Sequence, residues 1–184
     1  MEKQSVRIRR ESAQAVVIDV QERLFPVMND PESLERRLRI LLEGLKILEI
    51  PRICTEQYPR GLGKTLNSVT SLLEGVPVLE KVSFSCLGAP GFPEHLDGER
   101  RQVILCGIET HVCVLQTALD LLERGFVPVV CRDAVDSRNP EDKETALSRI
   151  LRSGGIVTTT ESLLFELLET AGSDPFRAIS SLIK

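Results

Sequence analysis

The sequence predicts an α/β fold built on a six-stranded, doubly wound parallel sheet with helices on both faces. Three observations predict it. Short runs nearly continuous in Val, Ile, Leu and Cys recur along the chain, the pattern of strands covered on both faces. Longer segments between them carry apolar residues at helical spacing. The two kinds of segment alternate over the whole length, and right-handed crossovers turn such an alternation into a parallel, Rossmann-like sheet. Its expected strand order is 3-2-1-4-5-6.

The strand-like runs are Ala15–Val20, Pro51–Thr55, Val76–Leu79, Val103–Cys106, Val127–Cys131 and Gly155–Thr159. The first helix-like segment, Pro31–Leu48, has apolar residues at 34, 38, 41, 45 and 48. His111–Glu123 and Pro140–Arg152 follow the fourth and fifth runs, and Asn139-Pro140 reads as a cap followed by an N1 proline. Glu161–Thr170 and Pro175–Ile183 close the chain, with Gly172 as a helix stop. Tyr58–Gly75 reads as a loop and a short helix. Ser85–Gly98, rich in glycine and proline, reads as a long loop with one helical turn.

The 184 residues suit one domain, 1–184. A net charge of -4 gives no reason to expect nucleic acid as a partner. No apolar run approaches the ~20 residues that span a bilayer. The N-terminal MEKQSVRIRRESAQ has basic residues but no apolar core after them, so no secretory signal is expected. The 5 cysteines, Cys54, Cys86, Cys106, Cys113 and Cys131, sit mostly in apolar runs. That usage suits a reducing compartment, and a cytoplasmic location is expected.

In a doubly wound sheet, ligands bind beyond the carboxyl ends of the strands, where the winding reverses. Three reactive residues fall there. Asp19 lies inside the otherwise apolar run AVVIDV, where a buried carboxylate costs several kcal/mol unless paired, on the order given for buried charges. Lys81 follows the third run. Cys113 begins the helical segment after the fourth run, where a helix N-terminus favours thiolate and free N–H groups can hold an oxyanion. Each has an ordinary reading: a turn-capping aspartate, a surface lysine and a core cysteine.

Together, VVIDVQERL around Asp19, LEKVSFSC around Lys81, GIETHVCVLQTALDL around Cys113 and DAVDSR resemble the isochorismatase-like cysteine hydrolases. That superfamily includes nicotinamidases and N-carbamoylsarcosine amidase. The resemblance implies a catalytic triad of Asp19, Lys81 and Cys113. It also implies a cis peptide at Ile108–Glu109 and an oxyanion hole made by the N–H groups of Glu109 and Cys113. The expected activity is hydrolysis of a small amide or related C–N bond through a thioester. A homo-oligomer is expected too, and the small molecule is the substrate partner.

Nicotinamidases carry an acid and two histidines after the second strand. The corresponding CTEQYPRGLG has no histidine, and the chain's 2 histidines are His95 and His111. No metal and no cofactor are therefore expected. Authentic isochorismatases lack the nucleophilic cysteine, and TEQYPRGLG looks like the uncharacterised isochorismatase-domain subgroup. Phe25, Gln57, Tyr58 and Phe84 are candidate substrate contacts, with core or loop packing as the alternative for each. Thr110 is expected as a helix N-cap and His111 as a residue facing solvent or a neighbouring subunit. Cys86, in a loop, is open. Two alternatives stand beside hydrolysis: a binding or scaffold protein with little turnover, and a redox-responsive thiol protein in which Cys106 would resolve Cys113.

Overall fold

The computed structural model describes residues 7–184; the part of the N-terminal reading that falls on residues 1–6 lies outside them. The strands are β1 (Ala13–Ile18), β2 (Arg52–Gln57), β3 (Val78–Lys81), β4 (Gln102–Ile108), β5 (Val127–Asp136) and β6 (Ile156–Thr158). They form one sheet in the order β3-β2-β1-β4-β5-β6, and every pairing is parallel. The fold class and strand order are those expected from the sequence.

The helices are α1 (Pro31–Ile47), the single turns α2 (Pro59–Leu62), α3 (Asn67–Thr70) and α4 (Phe92–His95), then α5 (Leu115–Glu123), α6 (Pro140–Arg152), α7 (Thr160–Leu168) and α8 (Phe176–Ile183). Alternate strand residues feed opposite cores, as the pleat requires. Ala15, Val17, Ile104 and Cys106 pack with Leu38, Leu41 and Leu45 of α1 and Leu163 and Leu167 of α7. Val16, Ile18, Val103 and Leu105 pack with Leu115, Ala118 and Leu121 of α5 and Leu147 and Ile150 of α6. Both faces are thus covered, and only the strand ends remain for chemistry.

Two helix starts follow the sequence closely. The Asn139 side chain accepts from Glu141 N–H at 3.0 Å, with Pro140 next to it. Asp30 caps α1 through Ser33 N–H at 3.1 Å, ahead of Pro31. One helix stop differs. α7 ends at Leu168, and Glu169, at φ 62, makes the left-handed exit expected of Gly172. The end of α1 repeats the device: Glu49 at φ 56 turns the chain, and Ile50 N–H bonds Leu45 C=O at 2.9 Å. Replacing Glu49 by glycine removes the left-handed strain and costs only an exposed ion pair to Arg10. Glu49→Gly is expected to raise unfolding free energy by roughly 0.5–1 kcal/mol. A loss of stability in urea titration would refute that.

Strand bounds also differ. β1 starts at Ala13, because the polar Gln14 is buried there with its amide donating to Asp97 and Arg100 C=O. β5 runs on past Cys131 to Asp136, through the polar RDAVD. Its pairing with β4 shifts between Leu105 and Gly107, which lets it continue. The extension brings Asp136–Arg138 up beside the end of β4.

Gly107 is indispensable to that corner. Its φ is 110, and a Cβ there would collide with the Ile18 carbonyl of the neighbouring β1. Gly107→Ala combines backbone strain with overpacking, so a loss of roughly 2–4 kcal/mol is expected in equilibrium unfolding. A variant within 0.5 kcal/mol of the wild type would contradict the close approach.

Candidate active site

The winding reverses between β1 and β4, and the predicted reactive residues gather at that end of the sheet. Asp19 is the first residue beyond β1, in the left-handed region at φ 51, which aspartate tolerates better than most residues. Its N–H donates to Thr55 C=O at 3.1 Å, and its C=O accepts from Gln21 N–H at 2.8 Å. Lys81 is the last residue of edge strand β3 rather than a loop residue. Its side chain reaches inward across the end of β2, and Nζ lies 2.6 Å from Asp19 Oδ2. Both side chains of this ion pair are 0% exposed.

Every polar atom around the pair is used. Lys81 Nζ also donates to Gln57 Oε1 at 2.7 Å, Phe84 C=O at 3.0 Å and Ser83 C=O at 3.2 Å. Asp19 Oδ1 accepts from Thr55 Oγ1 at 2.8 Å. Such completeness is what a buried ion pair requires, since uncompensated burial of either charge is far costlier than the pair.

Cys113 is 5% exposed and lies in a wide, π-type turn, Thr110–Val114, that leads into α5. Glu109 C=O accepts from both Val112 N–H at 3.1 Å and Val114 N–H at 3.2 Å, which sets the width of this turn. Wide turns of this kind recur at functional sites. The Ile108–Glu109 peptide is cis. The thiol lies close enough to the Asp19 carboxylate to feel its charge. The structure thus brings together all three residues of the expected triad.

The charge state of the thiol departs from the sequence reading. A depressed, thiolate-like Cys113 was expected from the helix start and Lys81. Instead, burial pushes its pKa up, the nearby Asp19 carboxylate pushes it further, and Lys81 offsets only part. The reason is geometric. Lys81 spends its charge on Asp19, so the thiol faces a neutral pair through its negative member. Burial and Asp19 together favour the protonated thiol.

The remaining candidates separate. Gln57 holds Lys81 through Oε1 and Val82 C=O through Nε2, at 2.8 Å, so its amide is committed to the lysine loop. Tyr58 and Phe84 are exposed, whereas Phe25 is buried in the core with Met28 and Leu34. Phe25 is therefore a packing residue rather than an open wall of the cleft. A cavity of about 300 Å³ opens beside Lys81, its lining including Tyr58, Arg60, Glu80, Val82 and Pro90. Thr110 does not cap the helix: its hydroxyl is buried without a partner, and Glu109 occupies the capping position. His111 does not face solvent alone. Its Nδ1 is 3.0 Å from Ser137 Oγ and 3.8 Å from Glu109 Oε2.

Sequence reasoning missed Thr55 and Arg138 and left Cys86 open. Cys86 is fully buried, with Sγ 3.6 Å from Thr55 Oγ1. It is raised to about 11 by burial and by Asp19. It, and not Cys106, is the thiol beside the site. Its raised value and lack of exposure disfavour redox chemistry, which needs accessible thiolate. The acid at the end of β2 is already committed within the protein: Glu56 accepts from Thr65 N–H at 2.7 Å, Thr65 Oγ1 at 2.8 Å and Lys64 at 3.1 Å. Among the described residues, no group of three His, Cys, Asp or Glu side chains could hold a metal ion.

Comparisons with known proteins agree with this architecture. The sequence model of the isochorismatase domain matches residues 13–162. The secreted isochorismatase effector Isc1 of Phytophthora sojae is 40% identical over 174 residues, covering 91% of this chain and 82% of its own. The structure described as MAR1 ribonuclease from Caenorhabditis elegans superposes with a TM-score of 0.91 at 36% identity, over 97% of this chain and 92% of that one. The YcaC gene product of Escherichia coli, described as an octameric hydrolase of unknown specificity, superposes with a TM-score of 0.92 at 22% identity, over 98% and 91% of the two chains.

Proposed function

Since the chain belongs to the isochorismatase domain family, we propose that it is a cysteine hydrolase of a small amide or related C–N bond, with Cys113 as nucleophile, Asp19 as base and Lys81 as the electrostatic partner. One observation carries the reading: a buried carboxylate held at 2.6 Å by a buried lysine also acts on the Cys113 thiol. A carboxylate so placed is a proton acceptor rather than a structural cap.

Cys113 Sγ attacks the substrate carbonyl carbon as its proton passes to Asp19. The carbonyl oxygen becomes an oxyanion, taken by the N–H groups of Glu109 and Cys113. The tetrahedral adduct collapses, Asp19 returns its proton to the leaving nitrogen, and ammonia or an amine departs. A thioester remains on Cys113. Water then loses a proton to Asp19 and attacks the thioester. The carboxylic acid leaves, and the thiol regains its proton. The raised thiol fits this order, because the proton moves during attack and no standing thiolate is needed. The donor set argues against a metal acting as in nicotinamidases, and no cofactor is invoked.

The test is a panel of small primary amides and N-carbamoyl compounds, read by ammonia release. Activity lost in Cys113→Ser supports the reading. Activity retained in that variant refutes the nucleophile. The names of two similar proteins add isochorismate and RNA as further substrates, read by pyruvate release and by strand cleavage. For RNA, a net charge of -4 offers no general attraction to phosphates. A second reading, a binding protein with little turnover, is favoured by the slight exposure of Cys113; a substrate-independent wild type would establish it.

We also propose that the chain self-associates and works in a reducing, cytoplasmic setting. The octameric description of the E. coli structure supports the first. All 5 cysteines are free and buried, which supports the second. Among the described residues, no helix is long and apolar enough to cross a membrane. Light scattering on the purified protein is expected to give a multiple of the 20.5 kDa chain mass, and a monomer at micromolar concentration would refute self-association.

A further inference from the structure

The Glu109 carboxylate is 7% exposed, yet it belongs to the turn that supplies the proposed oxyanion donors. Its partner is Arg138, 29 residues away in sequence. Arg138 Nε donates to Glu109 Oε1 at 3.1 Å and to Oε2 at 3.2 Å, and the Arg138 main-chain N–H adds a bond to Oε2 at 3.2 Å. One carboxylate is thus gripped by main chain and side chain of one residue. The arginine side chain is itself 62% exposed, so the bond shields the acid without burying the base.

The segment that carries Arg138 is fixed from several sides. Asp136 Oδ2 accepts from Asp30 N–H at 3.0 Å, and its Oδ1 lies 3.4 Å from Lys143 Nζ. Ser137 C=O accepts from Asn29 N–H at 3.1 Å, and its hydroxyl meets His111. Glu109 is therefore tied at its carbonyl to the turn before α5 and at its carboxylate to this anchored post. Ties at its carbonyl and at its carboxylate restrict rotation about the backbone bonds of Glu109, and so limit the swing of its N–H, which lies in the Ile108–Glu109 peptide plane.

We infer that Arg138 is a positioning residue: through the Glu109 carboxylate it aims the N–H groups of the Glu109–Cys113 turn at the oxygen that becomes negative during acyl transfer. This rests on the hydrolase reading above. The consequence is selective. Acylation of Cys113 by an ester builds an oxyanion and needs those donors. Alkylation by iodoacetamide displaces iodide at a saturated carbon, builds no oxyanion and does not need them.

The experiment compares wild type, Arg138→Met and Arg138→Lys, each checked for a cooperative thermal transition. Acylation is followed as nitrophenolate release from p-nitrophenyl acetate, and alkylation by iodoacetamide at the same pH. Losing a whole oxyanion donor costs about 10²–10³-fold, so misaiming one predicts a fall of roughly 10–100-fold in the limiting acylation rate of Arg138→Met. Half-saturation by the ester and the alkylation rate are expected to stay within twofold. Arg138→Lys recovers part of the rate, since lysine offers charge without the planar fork. Should Arg138→Met not fold, Arg138→Gln takes its place. Unchanged acylation, or a parallel fall in both reactions, overturns the positioning role. A wild type that alkylates at Cys113 but takes no acyl group overturns the hydrolase reading and this inference with it.

Discussion

Lys81→Met is expected to lower unfolding free energy by about 3–5 kcal/mol, the largest loss from any single substitution in the site. The lysine side chain is fully buried and meets Asp19, Gln57, Ser83 and Phe84. Methionine fills much of its volume and none of its charge. Asp19 would remain buried with Thr55 Oγ1 as the side-chain donor to its carboxylate, and an unpaired carboxylate in such surroundings is what makes the loss large. Removing both charges together should be milder. Asp19→Asn/Lys81→Met is therefore expected to be more stable than Lys81→Met, by urea unfolding at neutral pH. A single variant within about 1 kcal/mol of the wild type would mean that the pair is not buried as described.

The alkylation of Cys113 is expected to rise steadily with pH and to inflect above the ordinary thiol range of about 8.5. Burial and the Asp19 charge both oppose the thiolate. At pH 7 the rate should lie at least about tenfold below that of a free thiol, given the ordinary thiol value. Asp19→Asn removes the opposing charge and the acceptor, which lowers the thiol pKa. Alkylation at pH 7 should therefore increase in that variant while acyl transfer falls by roughly 10²–10⁴-fold, because the base is gone. Opposite responses to one substitution are hard to obtain from general damage. An inflection well below 8.5 in the wild type would show that Lys81 and the helix start outweigh Asp19.

The residues of the proposed triad were legible because each breaks a local pattern at or near a strand end. Asp19 interrupts an apolar run, Lys81 follows one, and Cys113 opens a helix after Gly107. What surrounds them was not legible, because it depends on register. Thr55 reads as the end of a strand, and only its pairing with Ile18 sets it beside Asp19. Gln57 reads as a loop residue open to substrate, yet its pairing with Lys81 turns its amide to the lysine. Arg138 lies in a matched motif, but its link to Glu109 needs the extension of β5 through polar residues that ended the apolar pattern. The thiol was misjudged for a similar reason. The helix start is written in the sequence, whereas the nearness of Asp19 to the sulfur is a product of the fold.

The most direct measurement is the intact mass of the protein after brief exposure to p-nitrophenyl acetate, followed by mapping of the added group. The account predicts one acetyl on Cys113, lost with time as the thioester hydrolyses, and none in Cys113→Ser. An adduct that never turns over, or one that maps to another residue, would contradict a Cys113 thioester as the working intermediate.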